Sequence, residues 1–390
     1  MEAEMARIAV AVADHIVSPL GFTTSDNFAA VKAGNTGLQR YSGKWGLPEP
    51  FMAALIDRDE ALAACERAGI RGDYTFFERL AIFSIQQALQ QCEVDVTSGR
   101  TLLILSTTKG NVDLLRESQA GIVEERVMLG EAAKVIARYF GNPNLPIVVS
   151  NACISGVCAQ IEAERLLKAG AYDAVIVCGG DILSPFIVSG FQSLKALTDT
   201  PCRPFDEDRL GINLGDAVAT IIYKGVTAGQ GGWTAVKGAI RNDAHHISSP
   251  SNVGEGSFRA LRQILDGVDP EDIAFVNAHG TATLFNDEME SVAIDRAGLK
   301  AVPVNSLKGY YGHTMGAAGI LETIISMKSI DEGLVLATRG YENIGVSRAI
   351  QVTKQNLTTD KKAFVKMISG FGGCNAVMRF AKRFANEGRD

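Results

Sequence analysis

The chain has 390 residues and a net charge of −6, with 46% hydrophobic and 21% charged residues. This length and apolar content allow a large buried core and exclude an intrinsically disordered chain. The mildly acidic balance, without basic runs, argues against nucleic-acid binding. No stretch of about 18 uncharged apolar residues indicates a transmembrane helix.

The first five residues lack the basic and apolar segments of a signal peptide. The seven cysteines are scattered and include no CxxC pair. Together these features predict a cytoplasmic protein with reduced thiols and no structural metal.

Strands and helices alternate along the chain. Near-continuous apolar runs, typical of strands that are covered on both faces, predict five strands, at Ala6–Val12, Thr101–Ser106, Pro146–Ser150, Ala174–Cys178 and Ala217–Tyr223. Helical periodicity covers residues 75–92, 128–140, 155–169 and 288–297. This alternation predicts an α/β fold with mixed, largely buried sheets.

The second half of the sequence repeats the first. The segment 148–153 is a strand that runs into a helix rich in Ala and Gly, and 302–308 is a similar strand followed by a helix over 316–328. A glycine-rich stretch at 225–232 lies between the two copies. We therefore predict a duplicated unit, with an N-terminal half over 1–225 and a C-terminal half over 226–390.

Cys153 is the first candidate for chemistry. The sequence contains no GxSxG, GxxxxGK[ST], HExxH or GxGxxG motif. Cys153 follows a predicted buried strand and precedes a helix, whose N-terminal dipole would lower the pKa of the thiol. From this segment alone, a buried core cysteine is the slightly better interpretation.

Two of the five histidines strengthen the case for catalysis. His279 and His313 each adjoin a glycine and follow an apolar strand, whereas no ligand spacing favours a metal site. Two histidines and Lys308 beside one cysteine suit acyl transfer followed by formation of a carbanion.

The motifs stand in a recognisable order. They are Asn151–Gly156, Arg203–Arg209, Asn277–Thr283, Lys308–His313 and Gly370–Gly373. In this order the chain resembles the β-ketoacyl-[acyl-carrier-protein] synthases, the condensing enzymes of fatty acid and polyketide synthesis. The resemblance implies an α/β fold of thiolase-like type, with five αβαβα layers built from two duplicated halves.

The resemblance also implies a mechanism. Cys153 accepts an acyl chain from a carrier protein, and malonyl-carrier protein then undergoes a decarboxylative Claisen condensation that extends the chain by two carbons. His279 and His313 stabilise the enolate. Lys308 orients His279 and supplies positive charge, which Asp287 and Glu290 balance.

Further roles follow from the same resemblance. Phe371 is expected to gate the acyl pocket and to supply an oxyanion N–H, as Cys153 does. The remaining expected sites are the pantetheine contacts Thr281, Thr283, His246 and Ser248, and the carrier contacts Arg203 and Arg209. No cofactor is expected beyond the phosphopantetheine that carries the substrates.

The sequence also departs from the family pattern. Ser106–Asn111 replaces a glycine-rich loop near the acyl pocket, so the depth of that pocket cannot be carried over. Some members hold a monovalent cation near the positions of Asn277 and Glu322. Lys366 replaces part of that site, which suggests that its ammonium group replaces the ion. With these departures the chain resembles ketosynthases of aryl-polyene or flexirubin pigment pathways.

Alternatives remain open at this point. The chain could act as a homodimer, or as the catalytic or chain-length subunit of a ketosynthase heterodimer, although chain-length factors lack the cysteine. A thiolase-type acyltransferase would use a second cysteine near the C-terminal glycines, where Cys374 lies. A synthase primed by acyl-CoA would carry Cys, His and Asn instead of two histidines.

Overall fold

The computed structural model describes residues 7–117, 124–227, 231–243, 245–246 and 250–384. The strands within these ranges are β1 (Arg7–Val17), β2 (Leu38–Tyr41), β3 (Phe51–Ala54), β4 (Thr101–Ser106), β5 (Ile147–Val149), β6 (Ala174–Asp181), β7 (Leu214–Gly215), β8 (Ala217–Thr227), β9 (Gly232–Asn242), β10 (Ile273–Asn277), β11 (Pro303–Asn305), β12 (Leu334–Val335), β13 (Gln351–Val352), β14 (Leu357–Thr358), β15 (Ala363–Gly370) and β16 (Cys374–Arg383). The helices are α1 (Thr24–Lys32), α2 (Arg58–Arg67), α3 (Phe76–Leu89), α4 (Leu114–Glu117), α5 (Glu124–Val127), α6 (Leu129–Tyr139), α7 (Ser155–Lys168), α8 (Pro185–Ser193), α9 (Glu255–Ile264), α10 (Leu284–Arg296), α11 (Lys308–Tyr311) and α12 (Ala318–Asp331).

Eleven strands form one sheet that passes through both halves of the chain. Their order is β13-β11-β10-β15-β16-β9-β1-β8-β6-β4-β5. From β1 outward, the first half pairs β8 and β6 antiparallel and then β4 and β5 parallel. From β9 outward, β16, β15, β10 and β11 repeat the same sequence of pairings. The duplicated α/β architecture is thus present in the strand order.

The helices form three layers around the two halves of this sheet. Helix α3 packs on β1, β6 and β8, while α9 packs on β9 and β16. Helices α7 and α12 lie between the halves, because they contact each other and strands of both. The order of layers is therefore αβαβα, and three apolar clusters fill the spaces between them.

Glycines allow the two central helices to approach closely. A Cβ atom at Gly319 of α12 would stand 2.6 Å from the backbone nitrogen of Val157 in α7. A Cβ atom at Gly156 would stand 3.0 Å from the carbonyl oxygen of Gly316. Since any larger side chain would push the helices apart, these positions set the distance between the helix N-termini.

The predicted elements agree with the structure to within a few residues at most ends. The strand predicted at Ala6–Val12 continues to Val17, and the helix predicted at 288–297 begins earlier, at Leu284. The division at residue 225 stays a prediction, since β8 and β9 belong to one continuous sheet. Within the described ranges, no helix has the length and apolar character needed to cross a bilayer.

Candidate active site

Cys153 lies in a tight turn between β5 and α7. Ala152, just before it, has a φ of 44°, a left-handed conformation that is costly for a residue with a side chain. Ser155 stabilises the turn, because its Oγ accepts from the Asn151 N–H at 2.8 Å and donates to the Ala152 carbonyl at 2.6 Å. The backbone at Gly370 packs against this turn so closely that a Cβ there would stand 3.2 Å from the Cys153 nitrogen.

The surroundings of the Cys153 thiol oppose ionisation in the resting site. Burial raises the pKa of Cys153 to about 12, and the neighbouring Cys374 adds to this. The ammonium groups of Lys308 and Lys109 and the backbone N–H of Phe371 act in the opposite direction. Burial thus acts against the lowered thiol pKa that the sequence predicts, because the loss of hydration disfavours the thiolate.

Two imidazole rings face the cysteine. One ligand-type atom from each of Cys153, His279 and His313 lies within 4.8 Å of the other two. The two rings meet edge to face, with centroids 5.0 Å apart and an interplanar angle of 81°. The sequence placed these three residues far apart in the chain, and the fold brings their reactive atoms to one point.

Two buried carboxylates hold the backbone of the His279 loop. Glu290 accepts hydrogen bonds from the N–H groups of His279 and Gly280, both at 2.7 Å. Asp287 accepts from the N–H groups of Thr281 and Ala282, at 2.9 and 3.1 Å. Burial raises the pKa of Asp287, and raises that of Glu290 to about 7. Both acidic residues therefore support the loop through its main chain.

His313 is positioned by its own backbone. Its N–H donates to the Asn213 carbonyl at 2.7 Å, and its carbonyl accepts from the Gly215 N–H at 3.0 Å. Gly312, with a φ of 67°, leaves no room for a side chain, since a Cβ would lie 2.2 Å from the Leu214 carbonyl oxygen. The turn after α11 is thereby fixed against β7.

A buried cluster of three charges lies behind the histidines. Lys308 and Lys366 each pair with a different oxygen of Glu322, the second at 2.6 Å. Lys366 Nζ also donates to the carbonyls of Met367 at 2.8 Å and Asn277 at 3.5 Å. Among the described residues no hydrogen bond joins Lys308 to His279, so the expectation that Lys308 orients that ring needs correction: the ammonium binds Glu322 instead.

This cluster keeps both imidazoles neutral. Burial lowers the pKa of His279 and of His313 well below the usual value, and the Lys308 and Lys366 ammonium groups lower both further. His279 Nδ1 and both ring nitrogens of His313 are buried and have no hydrogen-bond partner among the described residues. Since no acceptor favours a proton on His279 Nδ1, its Nε2 is free to carry the proton.

The same observations decide between a metal ion and a substrate oxygen. Histidine ligands usually donate their second ring N–H to an acceptor, which the described surroundings of His279 Nδ1 do not offer. The two ammonium groups nearby also oppose a divalent cation. A polarised carbonyl that accepts from neutral imidazoles suits the arrangement better.

Two cavities meet at Cys153. The first, of about 320 Å³, includes both histidines together with Thr281 and Thr283. The Oγ atoms of these threonines lie 2.8 Å apart, so both hydroxyls face one side as the sequence predicted. The second cavity, of about 500 Å³, extends from Cys153 away from the histidines.

An aromatic pair separates the cavities. Phe191 and Phe371 line both, and their ring centroids lie 6.0 Å apart. Phe371 is 40% exposed and lies in the turn between β15 and β16. Its ring thus lies outside the core, and its role as a gate stays a prediction.

Comparison with known proteins gives this geometry a family. The family model for the β-ketoacyl synthase N-terminal domain matches residues 66–227, and that for the C-terminal domain matches 234–342. The chain belongs to the β-ketoacyl synthase family. It is 28% identical to 3-oxoacyl-[acyl-carrier-protein] synthase 2 of Vibrio cholerae, over 94% of this chain and 97% of the relative.

Solved structures share the fold of this β-ketoacyl synthase. A ketosynthase (ApeO) in complex with its chain length factor (ApeC) from Xenorhabdus doucetiae matches with a TM-score of 0.84 and 24% identity, over 97% of this chain and 98% of that one. A type II polyketide ketosynthase in complex with its acyl-carrier protein (AntDE:AntF) matches with a TM-score of 0.82 and 19% identity, over 97% of this chain and 100% of that one.

Of the two predicted carrier contacts of the synthase, Arg209 is buried, and the assignment of Arg203 stays a prediction. Arg209 is only 6% exposed, and its guanidinium donates to the carbonyls of Asp206 and Gly345. It therefore stabilises an internal loop and cannot present its charge to a partner, which corrects that expectation. Arg203 is one-third exposed and pairs with Asp206 and Asp208.

The two remaining predicted pantetheine contacts lie on the segment between Asp243 and Pro250, both of which line the first cavity. His246 is exposed on this segment. Ser248 lies outside the described residues. Their assignment stays a prediction.

Sequence reasoning missed Asp181, at the carboxyl end of β6. Its buried carboxylate accepts from the hydroxyls of Thr107 and Thr108, each at 2.8 Å, and from the N–H groups of Lys109 and Gly316, each at 2.8 Å. A charged residue at the end of an otherwise apolar strand was the available signal. It ties the loop after β4 to the segment that leads into α12.

Proposed function

We propose that this chain catalyses the condensation of acyl-carrier and malonyl-carrier thioesters by a ping-pong mechanism with Cys153 as the nucleophile. The observation that carries the proposal is the meeting of Cys153, His279 and His313 within 4.8 Å at the junction of two cavities. One cavity can admit the pantetheine arm while the other holds the acyl chain.

The first half-reaction is acyl transfer. The sulfur of Cys153 attacks the acyl thioester, and the backbone N–H groups of Cys153 and Phe371 stabilise the oxyanion. Because the resting thiol is protonated, its proton must leave as the new bond forms. The neutral imidazoles can relay this proton, which ends on the departing pantetheine thiol.

The second half-reaction is decarboxylative. The carbonyl of the malonyl thioester accepts hydrogen bonds from neutral His279 and His313 while the bond to the carboxylate breaks and CO₂ leaves. The resulting enolate carbon attacks the acyl-Cys153 thioester. The Cys153 thiolate is then expelled and takes a proton from water, which leaves a β-ketoacyl thioester two carbons longer.

The buried lysines support the second step electrostatically. Together with burial, their charges keep the imidazoles neutral, so that each ring offers one N–H to the substrate carbonyl, and they favour the negative charge that develops on the enolate oxygen. Removal of one such donor typically costs about 10²–10³-fold in rate.

Partner recognition is assigned to the rim of the first cavity. Leu210, Leu284 and Phe285 are well exposed there, and Lys195 is a cation on the same rim. An acidic carrier protein with an apolar contact surface matches this combination. We place the reaction in the cytoplasm, with no cofactor beyond the carrier's own phosphopantetheine.

A homodimer is the simplest assembly, and a heterodimer is the alternative. The likeness to a ketosynthase held by its chain length factor supports a partner subunit, and the presence of Cys153 favours the catalytic role for this chain. Products of this reaction serve fatty acid, polyketide or aryl-polyene-type pigment synthesis.

A thiolase-type reaction is the second candidate. It would need Cys374 as an acid-base group beside Cys153. Cys374 Sγ donates to the Phe371 carbonyl at 3.3 Å, and burial raises the pKa of this thiol, so the thiol stays protonated and cannot accept a proton from a substrate. This geometry favours decarboxylative condensation.

Mass spectrometry of the intact chain after incubation with acyl-carrier proteins tests the nucleophile. We expect one acyl adduct, on Cys153, which the Cys153→Ala variant loses. Cys158→Ala is the matched control, because this cysteine lies on α7, the helix that follows Cys153, and should not affect loading. An adduct on another cysteine, with Cys153 unmodified, would contradict the proposal.

Release of CO₂ from malonyl-carrier protein tests the second half-reaction. His313→Ala should still form the Cys153 adduct but lose decarboxylation by about 10²-fold or more. Normal CO₂ release by this variant would contradict the role given to His313.

A further inference from the structure

The second cavity is mostly apolar but contains one cation. Aromatic and aliphatic side chains line it from Cys153 outward, including Phe186, Ile187 and Met315. Lys109 and its neighbour Thr108 interrupt this lining. An ammonium group in the wall of an acyl pocket is unexpected if the acyl chain is a plain hydrocarbon, because an alkyl chain would only strip water from it.

No acidic side chain of the described residues forms an ion pair with Lys109. Its Nζ has one recorded hydrogen bond, to Thr108 Oγ1 at a long 3.4 Å. Its side chain is neither fully buried nor fully exposed. The ammonium therefore retains donor capacity for a further group within the cavity.

The backbone that carries Lys109 is held rigidly. Asp181 accepts hydrogen bonds from the N–H groups of both Thr108 and Lys109, and from the hydroxyls of Thr107 and Thr108. Thr107 Oγ1 in turn accepts from the Gly110 N–H at 2.9 Å. Such a network maintains the loop as a fixed wall instead of a mobile flap, so the position of the cation is part of the shape of the cavity.

Lys109 also acts on the nucleophile. Its charge is near enough to Cys153 to lower the pKa of that thiol against the larger effect of burial. The cation therefore lies close to the path of an acyl group attached to the sulfur.

We propose that Lys109 is a specificity-determining residue, and that the acyl group accepted by Cys153 carries an oxygen acceptor along its chain that binds the Lys109 ammonium group. This inference rests on the proposed condensing function and names its acyl substrate as oxygenated, such as a hydroxyacyl group, in place of a saturated hydrocarbon. The apolar remainder of the cavity packs against the carbon skeleton between the thioester and that oxygen.

Competition between pantetheine thioesters tests the proposal without a carrier protein. The wild-type chain is given equal amounts of octanoyl-pantetheine and of 4-, 6- or 8-hydroxyoctanoyl-pantetheine, and the two adducts on Cys153 are counted by mass spectrometry. We expect one position of the hydroxyl group to be favoured over octanoyl by about 10-fold or more, as for a hydrogen bond to a charged group.

Variants then assign the preference. Lys109→Met should lose the preference for the hydroxyacyl group and load octanoyl more readily, while Lys109→Arg should retain the hydroxyacyl preference. Lys300→Met is the control, because this lysine is exposed and lines neither cavity, and its adduct ratio should equal that of the wild type.

Two results would overturn the proposal. One is a wild-type chain that loads octanoyl as well as, or better than, every hydroxyacyl group, a result that needs no variant to fold. The other is a hydroxyacyl preference that survives in Lys109→Met. Absence of any adduct on Cys153 with every thioester would instead overturn the proposed function, and the substrate assignment with it.

Discussion

Replacement of Glu322 by Gln tests the buried charge cluster most directly. Glu322 receives one ammonium group on each carboxylate oxygen, from Lys308 and Lys366, and all three side chains are buried. Coulombic attraction from both lysines lowers the pKa of Glu322 even though burial opposes its charge. An amide in its place leaves two buried cations without a counter-charge between them.

The expected cost can be estimated from this geometry. Loss of the partner of a buried charge usually destabilises a protein by about 3–5 kcal/mol. With an unfolding entropy of about 2.1 cal/mol/K per residue, the 390 residues give about 0.8 kcal/mol/K. Glu322→Gln should therefore lower Tm by about 4–6 °C, provided that the chain unfolds as one unit.

The pH dependence identifies the cause. Burial already lowers the pKa of Lys366 to about 8 in the wild type, with the attraction of Glu322 opposing this. In Glu322→Gln the pKa of Lys366 falls further. Between that lower value and 8, the folded variant binds fewer protons than its unfolded chain, so only the variant gains stability as the pH rises. The gap in Tm should be widest near pH 5.5 and narrow toward pH 8.

Differential scanning fluorimetry from pH 5.5 to 8.5 measures this gap. Glu332→Gln is the control, because Glu332 lies just beyond the end of the same helix in an exposed pair with Lys32, which contributes little to stability. A Glu322→Gln variant within about 1 °C of the wild type at pH 5.5, or a gap that widens toward pH 8, would show that the lysines are not held by this carboxylate.

Three further predictions concern single positions. Lys366→Met leaves one oxygen of Glu322 and two carbonyls without their cation, while Lys308 still pairs with the other oxygen. We therefore expect 100 mM KCl to raise the Tm of this variant more than 100 mM tetramethylammonium chloride does; equal shifts would argue against an ammonium that replaces an ion. Gly319→Ala places a Cβ 2.6 Å from the Val157 nitrogen, so the Tm and the rate of Cys153 acylation should both fall. Gly130→Ala is the control, because its added Cβ meets no described atom within 4 Å; equal changes of Tm in the two variants would contradict the prediction. Burial raises the pKa of Asp216 to about 7, so from pH 4 to 7 the folded wild type binds more protons than its unfolded chain and loses stability as the pH rises. Denaturant melts should therefore show that the stability of Asp216→Asn, relative to the wild type, increases by a few kcal/mol between pH 5 and pH 8. A stability difference that stays constant over this range would contradict the raised pKa.

Much of the fold could be predicted because apolar runs mark buried strands whatever their partners are. All six residues of β4 are buried, and its predicted bounds agree with the structure. The ends of β1 and α10 could not be predicted, because β1 is extended by pairing with β8 and α10 starts directly after the loop that the carboxylates hold. These are tertiary contacts, which no local pattern records.

The site shows the same division. The order of motifs predicted that Cys153, His279 and His313 would converge. It could not show that Lys308 binds Glu322, since the direction of a lysine side chain near an imidazole depends on how the helices pack. It also could not show that the Arg209 guanidinium donates its hydrogen bonds to internal carbonyls, because the sequence around an arginine does not reveal whether its partners are buried or exposed.

The duplicated architecture explains where the chemistry collects. In the parallel part of each half, three strands end at the same edge: β4, β5 and β6 in the first, and β10, β11 and β15 in the second. Cys153 follows β5 and Lys308 follows the corresponding β11. His279 follows β10, which corresponds to β4, the strand that Lys109 follows.

This correspondence gives Lys109 and His279 equivalent places on the two sides of the nucleophile. The first cavity lies toward the His279 edge and the second toward the Lys109 edge. The close contact of α7 and α12 at Gly156 and Gly319 brings the two edges to one sulfur atom. A duplicated fold thus offers two polar strand ends to one thioester, and in the proposed reaction one of them binds the incoming malonyl carbonyl and the other the acyl chain.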